Sequence, residues 1–161
     1  MTPIRYSSKL AEFDSSSAEI QQLHAYWQGK FTEQGAIPRK AEIHPWDLPR
    51  LLGRICMIVV QPEPLDFIYR LDGTEISASS NEDLRGRSIL DGTPKEIYRH
   101  VYQDLKQAYE RRAPTLQEVD YAHDDYKAYY MRAVFPLSDL AQADTLMTFS
   151  FSLLDEDGRF G

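Results

Sequence analysis

The feature that most constrains the fold is a long amphipathic helix followed directly by three β-segments. Thr93-Pro94-Lys95-Glu96 is a capping box with proline at the first helical position, so it predicts a helix that runs to about Arg111. At about 100° per residue, the apolar side chains of this helix fall on one side. They are Ile97, Tyr98, Val101, Tyr102, Leu105, Ala108 and Tyr109. The alternating segments Thr115 to Tyr121, Lys127 to Leu137 and Thr145 to Leu154 then predict three consecutive strands, which is not a βαβ order.

Two further strands and a helix are predicted earlier in the chain. Arg54 to Gln61 and Asp66 to Leu71 predict a hairpin, and Ser16-Ser17-Ala18-Glu19 predicts a helix start. Residues 1–14 look irregular and polar. The order favours an α+β fold: a five-stranded antiparallel sheet with helices on one face and an N-terminal helical extension. We expect the extension at 1–52, the main domain at 53–154 and a tail at 155–161.

Length and charge limit the class of protein. A chain of 161 residues fits one domain, and its net charge of −7 disfavours nucleic acid and anionic membranes as partners. The single cysteine, Cys56, cannot form an internal disulfide. We find neither a signal-peptide pattern nor an apolar run long enough to cross a membrane, so we expect a cytoplasmic protein.

The order of elements resembles that of the PAS domain family. Phe67-Ile68-Tyr69-Arg70-Leu71-Asp72-Gly73-Thr74 looks like the second strand of that fold with its following turn. Asp83-Leu84-Arg85-Gly86-Arg87-Ser88-Ile89 is similar to the stretch that precedes the long helix. The likeness covers about Arg54 to Leu154, and Leu23 to Leu52 resembles the N-terminal part of a bacterial group of short PAS proteins.

The resemblance implies a non-enzymatic sensory or signalling module. Many such domains hold a small molecule between the sheet and the helices, and many form dimers through an amphipathic N-terminal helix. The sequence leaves no room for an output domain, so we expect the signal to pass through a homodimer or a separate signalling protein. A ligand-free protein-interaction adaptor with a filled core is the alternative, and an enzyme of unrecognised type is the third hypothesis.

The ten tyrosines suggest where a ligand would bind, because a tyrosine combines a large apolar ring with a polar tip. They either line a pocket or simply fill the core. The residues predicted to line a pocket are Phe67, Tyr69, Tyr98, Val101, Met131 and Phe149.

Ile20, Leu23 and Trp27 recur at helical spacing on the N-terminal helix and are the predicted interface residues. The alternative is that this helix folds back on its own domain.

No catalytic residue and no metal ligand is predicted, because nucleophile elbows, phosphate-binding loops and metal motifs are all missing from the sequence. The identity of any cofactor is unknown. A covalent flavin is not expected, because Cys56 lies in the first predicted strand and not at the position that light-sensing relatives use. Haem is not expected either, because His100 falls on the polar side of its helix.

Overall fold

Six strands form one antiparallel sheet in the part of the chain that the structure describes. The structure is a computed structural model and describes residues 3–51, 54–71, 85–124, 126–138 and 144–153. The strands are β1 (Arg5–Leu10), β2 (Ile55–Pro62), β3 (Leu65–Leu71), β4 (Thr115–His123), β5 (Tyr126–Leu137) and β6 (Thr145–Ser152). They lie side by side in the order β1-β4-β5-β6-β2-β3. The predicted α+β class and antiparallel sheet are therefore confirmed.

Two α-helices accompany the sheet among the described residues: α1 (Ala18–Gln34) and α2 (Lys95–Arg111). The first begins after Ser17, whose hydroxyl accepts a hydrogen bond from the Ile20 amide. It ends at Gly35, whose positive φ of 65° suits a helix C-terminus. The second ends at Arg111 as predicted, but it begins after Pro94 without a side-chain cap. The capping role predicted for Thr93 is therefore wrong.

The two helices cover opposite faces of the sheet. The face covered by α2, the α2 face, holds a core that joins Ile97, Val101 and Leu105 to side chains of β2, β3, β5 and β6. The face covered by α1, the α1 face, holds a second core around Trp27 and Phe135. The fold therefore has three layers. The expected placement of the helices on one face holds for α2, whereas the N-terminal helix packs on the other face.

β1 is a sixth strand in a segment that was expected to be irregular. It pairs with β4 along its whole length, from Arg5 opposite Ala122 to Leu10 opposite Gln117. The sequence of β1 has no apolar alternation, because this edge strand contributes few side chains to either core. Pairing with a neighbour, which is not visible in a local pattern, explains its conformation.

The opposite edge of the sheet, at β3, is covered by a short segment of chain. The Tyr69 amide donates to the Arg87 carbonyl, and the Gly86 amide donates to the Tyr69 carbonyl. Gly86 has a φ of 82°, which glycine adopts without strain. The Ser88 hydroxyl donates to Asp66 on β3 at 2.8 Å, which anchors the segment. The sequence also predicts a short helical segment through Ile76 and Ala78, but these two residues lie outside the described part of the chain.

Candidate functional site

The predicted ligand-binding residues lie on both faces of the sheet. Phe67 and Val101 are buried on the α2 face, where Tyr69 and Tyr98 are partly buried beside them. Met131 and Phe149 belong to the core on the α1 face instead. The prediction that all six line one pocket is wrong for these two residues, because neighbouring side chains of a strand point to opposite faces.

The part of the α2 face near β3 is filled by interlocking rings. The Phe67 ring meets Tyr102 and Tyr109 edge-on, with centroids 5.4 and 6.5 Å away. The Tyr102 hydroxyl donates to the Leu65 carbonyl at 2.8 Å. The Tyr98 ring packs so closely on Gly92 that a β-carbon there would overlap it. These contacts are those expected of a filled core.

The part of the α2 face near β1 carries a polar cluster, in which Asp104 and Arg132 are buried and Tyr6, Ser8 and Tyr130 are partly buried. Asp104 accepts hydrogen bonds from Tyr6 at 2.5 Å and from Ser8 at 2.8 Å, and the guanidinium of Arg132 donates to it at 3.3 Å. The Arg132 guanidinium also donates to the Tyr130 hydroxyl at 2.6 Å. Asp104 therefore ties β1 and β5 to α2.

Burial and charge fix the protonation of the polar cluster. Burial is the main cause that raises the pKa of the Tyr6 hydroxyl, and its bond to Asp104 adds to that rise. Burial alone would lower the pKa of Arg132, but the oxygens of Tyr130, Tyr6 and Asp104 outweigh it and raise that pKa. Tyr6 therefore stays a neutral donor and Arg132 stays a cation over the physiological range.

The polar cluster adjoins groups whose hydrogen bonding is incomplete. Gln117 lies directly opposite Arg132 on the neighbouring strand, and the two residues are 2% and 6% exposed. The Gln117 Oε1 and the Thr115 Oγ1 are buried and have no hydrogen-bond partner among the residues that the structure describes. The guanidinium of Arg132 makes two hydrogen bonds with the described residues, fewer than its donors allow. Buried polar atoms without partners are uncommon and call for an explanation.

The predicted interface residues are buried within their own chain. Ile20 and Leu23 are completely buried, and the Trp27 indole donates to the Pro136 carbonyl at 2.8 Å. Ile20, Leu23 and Trp27 all belong to the core on the α1 face. A partner would reach these side chains only if α1 left the sheet, so their role in an interface stays a prediction.

Two of the histidines, His100 and His24, make ring contacts on opposite faces of the sheet. His100 is exposed and stacks on Tyr6, with ring centroids 4.8 Å apart. His24 stacks on Phe13 on the α1 face, and the Phe135 ring lies tilted beside it. Over the described residues, no three His, Cys, Asp or Glu side chains come together as metal ligands. Neither described helix is long and apolar enough to cross a membrane.

Sequence reasoning missed Asp104, Arg132, Tyr6 and Ser8 as site residues. The available signal was Arg132 itself, an arginine flanked by apolar residues in the middle of the strand Tyr126–Leu137. A charge at such a position needs a buried partner. Asp104 lies at the margin of the apolar side of α2, where it faces that arginine.

A cavity of about 10 Å³ lies away from the predicted site, where the end of α2 meets β5. It is bordered by Tyr109, Arg112 and Pro136, among others. The volume is enough for one water molecule, so this cavity does not define a ligand site.

The model of a family described as PAS domain matches residues 15–148, which is most of the chain. No curated protein and no solved structure gave a match. The matched range includes α1, α2 and strands β2 to β5, together with the start of β6.

Proposed function

Because the chain belongs to the PAS domain family, we propose that it is a non-enzymatic sensory module that binds a small polar molecule on its α2 face. PAS domains are generally sensory or signalling modules. The signal then passes on through protein–protein contacts in the cytoplasm. The single observation that carries the proposal is the incomplete hydrogen bonding of Arg132 and Gln117 in the interior of the fold.

The unused groups define the chemistry of the ligand. Arg132 offers N–H donors and the Gln117 Oε1 offers an acceptor, and the two residues are neighbours across β4 and β5. An amide edge supplies the complement, since its carbonyl accepts from Arg132 and its N–H donates to Gln117. A neutral ligand fits better than an anion, because Asp104 already balances the charge of Arg132.

The aromatic residues of the α2 face form the apolar part of the proposed site. Phe67, Tyr69, Tyr98 and Val101 lie on this face and remain the proposed contacts for the body of the ligand. An apolar wall with a few convergent polar groups is the usual character of a small-molecule site. Access would require the rings that now interlock to move apart.

Ligand binding at the polar cluster would change how β1 is anchored to α2. Asp104 receives hydrogen bonds from both β1 and Arg132, so a ligand that draws Arg132 aside also alters the anchoring of β1. A change at the α2 face would then reach the edge of the sheet. This is the proposed route from ligand to partner.

A thermal-shift comparison of benzamide with benzoate tests the proposal. The two probes share a shape, but only benzamide carries an N–H donor for Gln117. Benzamide is expected to raise the melting temperature of the wild-type protein more than benzoate does, and Gln117→Leu is expected to remove that difference. Equal effects of the two probes, or a benzamide shift that persists in Gln117→Leu, would contradict the proposed site.

The ligand-free adaptor is a second candidate, because Phe67, Tyr102 and Tyr109 interlock as a filled core requires. Non-denaturing mass spectrometry of the purified protein separates the two. Retained extra mass supports the sensor. A bare mass, together with no shift from either probe, favours the adaptor.

A further inference from the structure

We propose that the outer edge of β1 is an interface at which two copies of this chain join their sheets, with the two β1 strands antiparallel. The inference rests on backbone geometry and does not depend on a ligand. β1 is the terminal strand of the sheet, and it has no second strand neighbour among the described residues. Such an edge is a template for pairing with another strand.

The alternation of hydrogen-bonded pairs between β1 and β4 shows which backbone groups of β1 face outward. The Ala11 amide donates to the Leu116 carbonyl at 2.9 Å, and these two residues continue the β1–β4 register. Hydrogen-bonded pairs alternate along an antiparallel ladder, so the odd-numbered residues of β1 bond to β4. The N–H and C=O groups of Tyr6, Ser8 and Leu10 therefore point to the open edge.

The usual protections of an edge strand are weak along β1. Arg5–Leu10 contains no proline, and its pairing with β4 has no bulge. The two charged residues reach back across the sheet, since Arg5 lies 3.6 Å from Asp120 and Lys9 lies 3.4 Å from Glu118. Leu10, at the end of the strand, is 43% exposed.

The polar cluster holds β1 in place as a rigid edge. Tyr6 and Ser8 are both bonded to Asp104 on the α2 face, so the strand is ordered before a partner arrives. A preorganised edge loses less conformational entropy on pairing than a flexible segment does. The opposite edge, at β3, is already covered by the segment that ends at Ser88.

Charge selects the register of the pair. In the two central registers, a two-fold axis perpendicular to the sheet passes between the two copies of Ser7 or between the two copies of Ser8. The first choice places Arg5 opposite Lys9 of the second copy, which is a repulsive pair. The second places Ser8 opposite Ser8, and it covers the exposed Leu10 with the Tyr6 ring of the other copy. We therefore assign the axis to Ser8.

Sedimentation velocity across about a hundredfold range of protein concentration tests the interface. The wild-type chain is expected to pass from monomer to dimer. Leu10→Pro removes an N–H that faces the open edge and none that bonds to β4, so it is expected to weaken the dimer at least about tenfold in Kd. Trp46→Ala is the control, because Trp46 is 74% exposed in the short 3-10 helix Pro45–Asp47 and does not belong to β1, so it should leave the dimer unchanged.

Cysteine cross-linking tests the register. Ser7 and Lys9 are exposed residues that lie opposite each other across an axis at Ser8. A mixture of Ser7→Cys and Lys9→Cys chains is expected to form a disulfide-linked dimer, whereas neither variant alone should do so efficiently. Cross-linking of Ser7→Cys alone would move the axis to Ser7. A wild-type chain that remains monomeric throughout, or a dimer that Leu10→Pro does not weaken, overturns the proposal.

Discussion

Asp104 lies on α2 and accepts hydrogen bonds from two side chains of β1, Tyr6 and Ser8, and from the guanidinium of Arg132 on β5. Its removal would leave the buried charge of Arg132 without a counterion. Asp104→Ala is therefore expected to lower the free energy of unfolding by about 3–5 kcal/mol, as measured by urea denaturation.

Replacement of both charges provides the control for Asp104→Ala. Asp104→Leu combined with Arg132→Met removes the ion pair without leaving an isolated charge. The double variant is expected to be more stable than Asp104→Ala. If Asp104→Ala alone costs less than about 1 kcal/mol, the ion pair is not the link between β1 and α2.

Gly92 is required because the Tyr98 ring occupies the space of a side chain. Gly92→Ala is expected to lower the free energy of unfolding by about 1–3 kcal/mol, because the ring or the turn must shift. Gly29 lies inside α1, where an added β-carbon would meet nothing within 4 Å, so it offers a matched comparison. Gly29→Ala is expected to raise the stability by about 0.5–1 kcal/mol in the same urea experiment. Equal effects of the two substitutions would refute the steric role of Tyr98.

His24 makes the stability depend on pH. Its burial lowers the pKa of the imidazole below 6.5, and nearby Asp14 only partly opposes that shift. Below pH 6.5 the unfolded chain binds a proton that the folded chain excludes, so stability falls as the pH decreases. His24→Phe keeps a ring against Phe13 and is expected to flatten the dependence between about pH 7.5 and pH 5.5. Urea denaturation at several pH values measures this pH dependence. If the free energy of unfolding of His24→Phe changes with pH as steeply as that of the wild type, His24 is not its cause.

At the scale of elements, the largest buried side chain that α1 contributes to the core on the sheet is Trp27. Trp27 is 2% exposed and its indole is bonded to the backbone of β5. Trp27→Ala is expected to cost about 3–5 kcal/mol of unfolding free energy and to speed hydrogen exchange throughout α1. The same substitution at the exposed Trp46 is expected to change the stability by less than about 0.5 kcal/mol. Protected α1 amides in Trp27→Ala would show that other contacts hold the helix.

The sequence predicts the elements that have strong periodicity. Strands β2 to β6 and helix α2 show alternation or a one-sided apolar stripe, and they occur within a few residues of their predicted bounds. β1 lacks such a signal because its stability comes from pairing with β4 and from bonds to Asp104. Long-range contacts of this kind leave no trace in a local pattern.

The candidate site could be predicted only in part, because the sequence does not reveal which helix covers which face. Alternation along β5 correctly places Met131 with Phe135, but α1 covers that apolar face. The other face of β5 presents Tyr130 and Arg132 to α2. Treating α1 as a separate extension therefore assigns Met131 and Phe149 to the ligand pocket, whereas they pack in the core beneath α1.

At the scale of the whole molecule, both faces of the sheet need a helix. The core on the α1 face includes Phe135, Met147 and Phe149, all completely buried. A chain that lacks residues 1–52 would expose these side chains to water. It is expected to lose its near-ultraviolet circular dichroism and to bind an apolar dye. A truncated chain that unfolds cooperatively and remains monomeric would show that residues 53–154 fold independently.

If two copies join at β1 as proposed, the covered edge at β3 limits the size of that assembly. Gly86 and Ser88 occupy the hydrogen-bonding positions where another strand would add, so β1 is the edge left for pairing among the strands that the structure describes. An object with a single binding end closes when two ends meet, whereas a filament needs two ends on every unit. By blocking that edge, the short segment beside β3 would stop stepwise polymerisation at the dimer.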